Sequence, residues 1–230
     1  MTVTASTDAA QLGALLTRIT GDEKHAMSAH STLDVLWVLY DRVLRVSPET
    51  VDAPDRDRFL LSKGHGPAAF YAVLAAKGFI PHAWLDDVAS WTSRLGHHPD
   101  RLLVPGVEIS SGSLGHGLPL GVGVALGLRA QGLVEPRVFV LLGDAELDEG
   151  SNHEAIAYAG ATGLGSLTVV VVDNESSTHG WPGGIAVRFA VNGWGALTVD
   201  GHDHDELERA LRAHDSVHPH VVVARTRTKG

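Results

Sequence analysis

The chain of 230 residues contains no cysteine, which excludes disulfide bonds, thiolate metal sites and a cysteine nucleophile. It has no run of about 18 apolar residues, the length that a membrane-spanning helix requires, and its first residues lack the apolar segment of a secretory signal. Lysine and arginine form no cluster, and the formal net charge is −9. We therefore expect a cytoplasmic protein that binds neither nucleic acid nor membrane.

Several common catalytic motifs are also missing. The sequence has no Walker loop, no HExxH zinc motif and no Ser–His–Asp spacing, and no G-x-G-x-x-G follows a strand. Its composition is that of an ordinary globular protein, with 44% apolar and 20% charged residues. We predict a flexible end over residues 1–11 and a single domain over residues 12–230.

Short apolar runs of strand length alternate with segments of helical spacing. Strands are predicted at Phe59–Ser62, within VFVLL from Val138, within LTVVVV from Leu167, at Gly195–Val199 and at His220–Arg225, and helices at Ala68–Gly78 and Asp203–Leu211. This alternation predicts an α/β fold with a mostly parallel, doubly wound sheet and helices on both faces. Four large aromatic residues are expected in the core: Trp37, Trp84, Trp91 and Phe70.

Two polar residues follow neighbouring predicted strands. Asp144 comes after the strand that begins at Val138, and Asn174 comes after the next strand, 30 residues later. One β-α-β unit has about this length, so both side chains should emerge at the same edge of a parallel sheet. A hard cation could bind both oxygens there together with ligand phosphates, while N–H groups after Gly143 begin a helix facing those phosphates.

Several of these features also have a purely structural explanation. Acidic residues such as those of GDAELDEG favour helix N-termini, although a strand-end asparagine has no equivalent structural reason. The segments SKGHGP and SSGSLGHG are glycine-rich turns that each carry a histidine. Such turns are usually only turns, and a single histidine in a loop is usually only solvated.

In combination the motifs resemble those of the thiamine-diphosphate enzymes, specifically the amino-terminal, diphosphate-binding half of transketolase. They are, in the family's order, KH…LDVLWVLY, LSKGHGPAAFYAVLAAKG, HPD, PGVEISSGSLGHGL, GDAELDEGSNHEA, VVDN, VDGHD and ARTRTKG. The similarity runs from about Leu12 to the end of the chain. It implies the thiamine-diphosphate-binding fold.

The resemblance also implies a set of cofactor-binding residues. The metal, Mg²⁺ or Ca²⁺, would be ligated by Asp144, Asn174 and the carbonyl of Ser176. The residues that match cofactor-binding positions are Gly143 and Ala145 at the diphosphate and Gly112 and Leu114 along the aminopyrimidine ring, with Glu154 in the acidic network that links cofactor sites across subunits.

The catalytic residues implied by the resemblance are three histidines and one acid. His25, His65 and His98 match histidines that handle the diphosphate, the substrate hydroxyls and proton transfer. Glu149 matches an acid of the same inter-subunit network as Glu154. The implied reaction moves a two-carbon ketol unit from a ketose phosphate to an aldose acceptor on the cofactor.

The sequence departs from the family pattern in four places. Ala145 replaces the second glycine of GDG, KHAMS replaces the stretch after the first histidine, and His116 replaces a glutamine. The chain also ends at Gly230, before a further histidine loop and before the pyrimidine-binding and carboxyl-terminal domains of the family. We therefore expect activity only with a pyrimidine-domain partner chain, in a heterodimer or an α₂β₂ assembly.

Two other functions stay open at this point. A transketolase-like subunit could deliver the two-carbon unit to a non-sugar or carrier-protein acceptor in specialised metabolism, which the altered KHAMS stretch would suit. A non-catalytic, cofactor-binding regulatory subunit is the alternative from another class. The retained Asp144, Asn174 and histidines argue against that alternative.

Overall fold

The computed structural model describes residues 9–19, 26–177 and 179–226, and within them five parallel strands form one sheet flanked by helices. The strands are β1 (Arg58–Leu61), β2 (Val138–Gly143), β3 (Leu167–Asp173), β4 (Gly195–Asp200) and β5 (His220–Arg225). The α-helices are α1 (Ala9–Arg18), α2 (Ala26–Val38), α3 (Ala68–Ala76), α4 (Gly117–Ala130), α5 (Gly150–Ala161), α6 (Gly184–Ala190) and α7 (His204–Arg212). Two 3₁₀ turns cover His82–Asp87 and Ala145–Asp148, and a π-helical turn, Leu39–Val43, continues α2.

The strands are arranged in the order β1-β2-β3-β5-β4, and all four pairings are parallel. The first three strands are neighbours in both sequence and space. The chain then passes over one position to β4 and returns to place β5 between β3 and β4. This topology confirms the predicted parallel, doubly wound sheet and brings the carboxyl ends of β1, β2 and β3 side by side.

Apolar side chains from alternate strand positions build a core on each face of the sheet. Phe139 and Leu141 of β2 pack with α1, α2, α3 and α7, whereas Val140 and Leu142 pack with α4, α5 and α6. Because both faces are covered, the central strands are continuous apolar runs rather than alternating ones. Among the described helices, none has the length and apolar content needed to cross a membrane.

The sequence-based bounds of β1, β4, β5 and α7 agree with the structure to within one residue, and α3 ends two residues earlier than predicted. Two expectations were wrong. Trp91 is fully exposed, because it lies in a loop after the first 3₁₀ turn, while Trp37 and Phe70 are buried and Trp84 packs at the core's edge. The N–H groups after Gly143 enter the second 3₁₀ turn, and α5 begins only at Gly150.

Two glycines of α4 differ in their surroundings: Gly121 lies against the sheet, whereas Gly123 has free space beside it. A Cβ atom on Gly121 would lie 2.4 Å from Val140 Cγ2, whereas one on Gly123 would have no contact within 4 Å. We expect Gly121→Ala to destabilise the chain by about 1–3 kcal/mol through overpacking. Gly123→Ala should stabilise it by up to about 1 kcal/mol through helix propensity. Urea unfolding measures both, and equal effects of the two changes would contradict the packing described.

Candidate cofactor site

The carboxyl ends of three neighbouring strands define the site. Leu61, the last residue of β1, pairs with Leu141 of β2, and Gly143, the last residue of β2, pairs with Val172 of β3. The loops that leave these strands therefore begin within a few ångströms of one another. Each loop carries residues that the sequence analysis identified one by one as candidates for the site. The strand register brings these residues to one edge of the sheet.

Asp144 is almost fully buried at the end of β2 and holds the loop that follows β3. Its Oδ2 atom accepts hydrogen bonds from the backbone N–H groups of Ser176 (2.7 Å) and Ser177 (3.0 Å). Its Oδ1 atom accepts one from the Ser176 hydroxyl (2.6 Å). The N–H of Asp144 donates to the Val172 carbonyl (3.1 Å), which continues the β-ladder. The acid thus joins the two strand ends.

Asn174, the first residue after β3, carries a buried Oδ1 atom that accepts no hydrogen bond from the residues that the structure describes. Glu175, which follows, has a φ angle of +59°, an uncommon conformation for a residue with a side chain. A buried acceptor without a partner costs free energy unless a ligand satisfies it. The Asn174 amide oxygen beside the Asp144 loop is therefore a fitting ligand for a hard divalent cation.

The remaining ligands of such a cation are restricted by the chain itself. Among the described residues, no group of three histidine, aspartate or glutamate side chains could hold a metal ion. A cation bound to Asp144 would have to complete its shell with the Asn174 amide, main-chain carbonyls and oxygens of a ligand or water. That donor set suits Mg²⁺ or Ca²⁺. The carbonyl of Ser176 stays a predicted ligand.

His65 and His98 lie together beside the glycine turns that contain Gly64 and Gly112. Their imidazole rings meet edge to face, with 5.1 Å between the ring centroids. Gly112 packs directly on His98: it has a φ angle of +130°, and a Cβ atom there would lie 2.5 Å from His98 Cδ2. Gly64 packs in turn on the Gly112 N–H. The histidine- and glycine-bearing turns thus form one cluster, while His25 lies outside the described residues.

The two glutamates of the expected inter-subunit network lie further out. Glu149 directly precedes α5 and is exposed, and a Cβ atom on Gly115 would lie 2.7 Å from its Cβ, so it borders the glycine turn that contains Leu114. Glu154 is exposed on α5. Their position at the rim suits contact with a second chain. Nothing in the described part of the chain pairs them with each other.

Glu146 is a buried residue of the site that the sequence did not indicate. Its Oε1 atom accepts hydrogen bonds from the Ser62 hydroxyl and from the Gly115 N–H (3.0 Å), and its Oε2 atom accepts one from the Gly143 N–H (3.4 Å). Burial raises the pKa of Glu146, and the donors from Ser62, Gly115 and Gly143 oppose that shift. The only signal in the sequence was an acid two residues after Asp144, which a helix N-terminus explains equally well.

Lys63 brings a positive charge to the same strand ends. Its ammonium group donates to Ser31 Oγ (3.1 Å), and its side-chain carbons lie 3.4–3.5 Å from the place of a Cβ on Gly143. Burial lowers the pKa of Lys63 from 10.5 to about 8, against the attraction of Asp144 and Glu146. The cofactor-free site therefore holds this cation less favourably than water does.

A comparison of the chain with models of protein families shows which family it belongs to. A family model described as the thiamine diphosphate binding domain of transketolase matches residues 20–228. The chain belongs to the transketolase family. The predicted family and the predicted fold are thereby confirmed.

This transketolase domain is similar to proteins with two different kinds of name. The chain is 58% identical over 213 residues to a protein of Rhodococcoides fascians named ferredoxin Fas2, covering 93% of this chain and 70% of that protein. It is 35% identical over 213 residues to one subunit of the apulose-4-phosphate transketolase of Actinobacillus succinogenes, covering 90% of this chain and 76% of that relative. The name ferredoxin does not carry over, because this chain has no cysteine to hold an iron–sulfur cluster.

Solved transketolase structures share the fold but are longer. The transketolase of Leishmania mexicana superimposes with a TM-score of 0.71 at 25% identity, covering 90% of this chain and 37% of that one. The chain thus spans little more than a third of the transketolase structure that it matches. The roles of the individual site residues in this transketolase domain stay predictions.

The unpaired Asn174 oxygen gives the first test of the site. Asn174→Ala removes an acceptor without a partner, so the free energy of unfolding should change by less than about 1 kcal/mol. Binding of thiamine diphosphate with Mg²⁺, measured by calorimetry, should weaken by about tenfold or more. Asn192→Ala is the control, because the Asn192 amide donates to the Arg188 carbonyl (2.9 Å) and its loss should destabilise the chain without changing cofactor binding. A large stability loss with unchanged binding in Asn174→Ala would contradict the assignment.

The lowered pKa of Lys63 gives a test that needs no cofactor. Between about pH 8 and pH 10.5 the unfolded chain binds more protons at this position than the folded chain. The contribution of Lys63 to the free energy of unfolding is therefore unfavourable below pH 8 and improves as the pH rises through this window. The stability of the wild type relative to Lys63→Met should increase accordingly in urea unfolding at a series of pH values.

Lys77→Met, which removes a lysine outside the site, is the control for the general effect of replacing an ammonium group by an apolar side chain. If the difference in the free energy of unfolding between wild type and Lys63→Met does not vary with pH, the pKa of Lys63 is not lowered in the folded chain.

Proposed function

We propose that this chain is the diphosphate-binding subunit of a two-chain, thiamine-diphosphate-dependent transketolase. The observation that carries the proposal is the buried Asn174 oxygen, which has no partner among the described residues, in the loop that Asp144 holds and in a domain of the transketolase family. A relative of similar extent is named as one subunit of a transketolase, which supports the existence of a partner chain. The partner would carry the pyrimidine-binding domain, in a heterodimer or an α₂β₂ assembly.

The residues of the site divide the work by position. Asp144 and Asn174 would hold Mg²⁺, with the Ser176 carbonyl as a third ligand, and Gly143 and Ala145 would lie against the diphosphate. Ala145 is half-buried at the start of the 3₁₀ turn, and we expect this turn to accommodate its methyl group beside the diphosphate. Bound thiamine diphosphate supplies the electron sink that allows a carbon–carbon bond beside a ketone to break.

The paired histidines would handle the protons of the reaction. His65 and His98 present imidazole nitrogens in one cluster, beside the Gly112 turn that would line the aminopyrimidine ring. Imidazole can donate a proton to a carbonyl oxygen or accept one from a hydroxyl near neutral pH. His25 would complete this set, and Glu149 and Glu154 would connect the site to the partner chain. A purely regulatory subunit would have no use for the histidine pair.

The proposed substrates are sugar phosphates. The donor would be a ketose phosphate and the acceptor an aldose phosphate, which the name of the apulose-4-phosphate relative supports. Charged substrates of this kind do not cross a bilayer unaided, so the cytoplasm is the proposed compartment. A non-sugar or carrier-bound acceptor is the second candidate, and the altered KHAMS stretch around His25 motivates it.

Reconstitution with a partner tests the proposal. The chain mixed with a chain that carries the pyrimidine domain should transfer a two-carbon unit from xylulose 5-phosphate to ribose 5-phosphate, and neither chain alone should do so. Asp144→Ala should reduce the rate by about a hundredfold or more, since it removes a metal ligand. Asp41→Ala is the matched control, because Asp41 pairs with Lys77 at the far end of α3.

The outcomes separate the candidates. Robust turnover by the purified chain alone would overturn the partner requirement. Transfer to a carrier-bound acceptor without transfer to ribose 5-phosphate would favour the second candidate. Full activity of the Asp144→Ala complex, with cofactor binding lost, would indicate a regulatory subunit instead.

A further inference from the structure

The side chain of Glu146, a residue of the turn that follows Gly143, links that turn to the glycine turn before α4. We propose that Glu146, together with Ser62, is a positioning residue that sets the spacing between the diphosphate turn and the turn that lines the aminopyrimidine ring. The diphosphate turn begins at Gly143, and the ring turn is the segment from Gly112 to Gly117. The proposal rests on the proposed function, because it presumes that thiamine diphosphate spans these two turns.

The carboxyl group of Glu146 contacts both turns directly. Oε2 accepts the Gly143 N–H (3.4 Å) on the diphosphate side, and Oε1 accepts the Gly115 N–H (3.0 Å) on the ring side. These contacts join segments that lie about thirty residues apart in the sequence. A carboxylate, which has two acceptor oxygens and no donor, suits this place, because the Ser62 hydroxyl and the N–H groups of Gly115 and Gly143 all donate to it.

Ser62, at the end of β1, extends the link by one hydrogen bond. Its hydroxyl donates to Glu146 Oε1 and accepts the N–H of Gly117 (2.9 Å), the first residue of α4. Both Ser62 and Glu146 are buried, with 0% and 2% of their surfaces exposed. The start of α4, and with it the ring turn, is thereby tied to the sheet through Glu146.

The ring turn has little freedom to adjust if this link is lost. A Cβ atom on Gly117 would lie 2.2 Å from Ser62 Cβ, and one on Gly115 would lie 2.6 Å from Ser151 Oγ. The turn is therefore held by close contacts on two sides. Sites of this kind depend on supporting side chains to keep their parts within a fraction of an ångström of the working geometry.

Asp57 offers a matched control at the opposite edge of the sheet. It is also a buried acid, and it also joins two backbone segments, by accepting the N–H groups of Arg45 (2.9 Å) and Arg137 (2.8 Å). It precedes β1, and Arg137 precedes β2, so the link lies at the amino ends of the strands. Substitution of Asp57 should affect stability without affecting the cofactor site.

The test compares two probes on the full chain assembled with its partner. Inorganic pyrophosphate with Mg²⁺ reports on the diphosphate turn alone, whereas thiamine diphosphate with Mg²⁺ requires both turns. Ser62→Ala and Glu146→Gln should each weaken thiamine diphosphate binding by about tenfold or more, a typical effect for supporting residues, and leave pyrophosphate binding within about threefold. Asp57→Asn should lower the melting temperature at least as much and change neither affinity.

Each other result has a definite meaning. If Ser62→Ala and Glu146→Gln bind thiamine diphosphate as tightly as the wild type, the positioning role is refuted. It is refuted equally if both probes lose affinity in parallel, because that pattern indicates general destabilisation. If the wild-type complex itself binds no thiamine diphosphate, the proposed function fails, and that failure is visible before any variant is compared.

Discussion

The parallel, in-register pairing of β1, β2 and β3 is the constraint on which the site depends. β1 lies far from β2 and β3 in the sequence, yet the last residues of the three strands lie side by side at one edge. Because every parallel strand leaves the sheet at the same edge, Ser62, Asp144 and Asn174 meet without any loop having to reach across the molecule. The apolar cores on both faces hold this edge in place.

Buried carboxylates then organise the loops that leave the strands. Asp144 accepts hydrogen bonds from the loop after β3, and Glu146 accepts one from the glycine turn before α4. Asp57 accepts hydrogen bonds from two segments at the amino edge. In each case the carboxylate accepts hydrogen bonds from backbone N–H groups. A loop, unlike a strand in a sheet, cannot pair such groups with backbone carbonyls of its own. The same interaction therefore has a structural use at one edge of the sheet and a proposed functional use at the other.

The charges at the carboxyl edge suit a metal-bound diphosphate better than they suit each other. Asp144 and Glu146 are both buried, and Lys63, which lies at the same strand ends, has its pKa lowered by burial against the attraction of the two acids. A divalent cation at Asp144 would offset the two acids, and a diphosphate would offset Lys63. A ligand that carries both a divalent cation and a diphosphate would thus offset the charges of both signs at this edge.

The sequence by itself determined the fold class, the strands β1, β4 and β5 almost to the residue, and the placement of Asp144 and Asn174 directly after neighbouring parallel strands. These follow from apolar runs and from the length of one β-α-β unit, which are local properties of the chain. Only the tertiary structure decided that Glu146 joins the two turns, that Gly112 packs against His98, and that Trp91 lies in solvent. Those outcomes depend on contacts between segments remote in sequence, and no local pattern records which loops will meet once the sheet has formed.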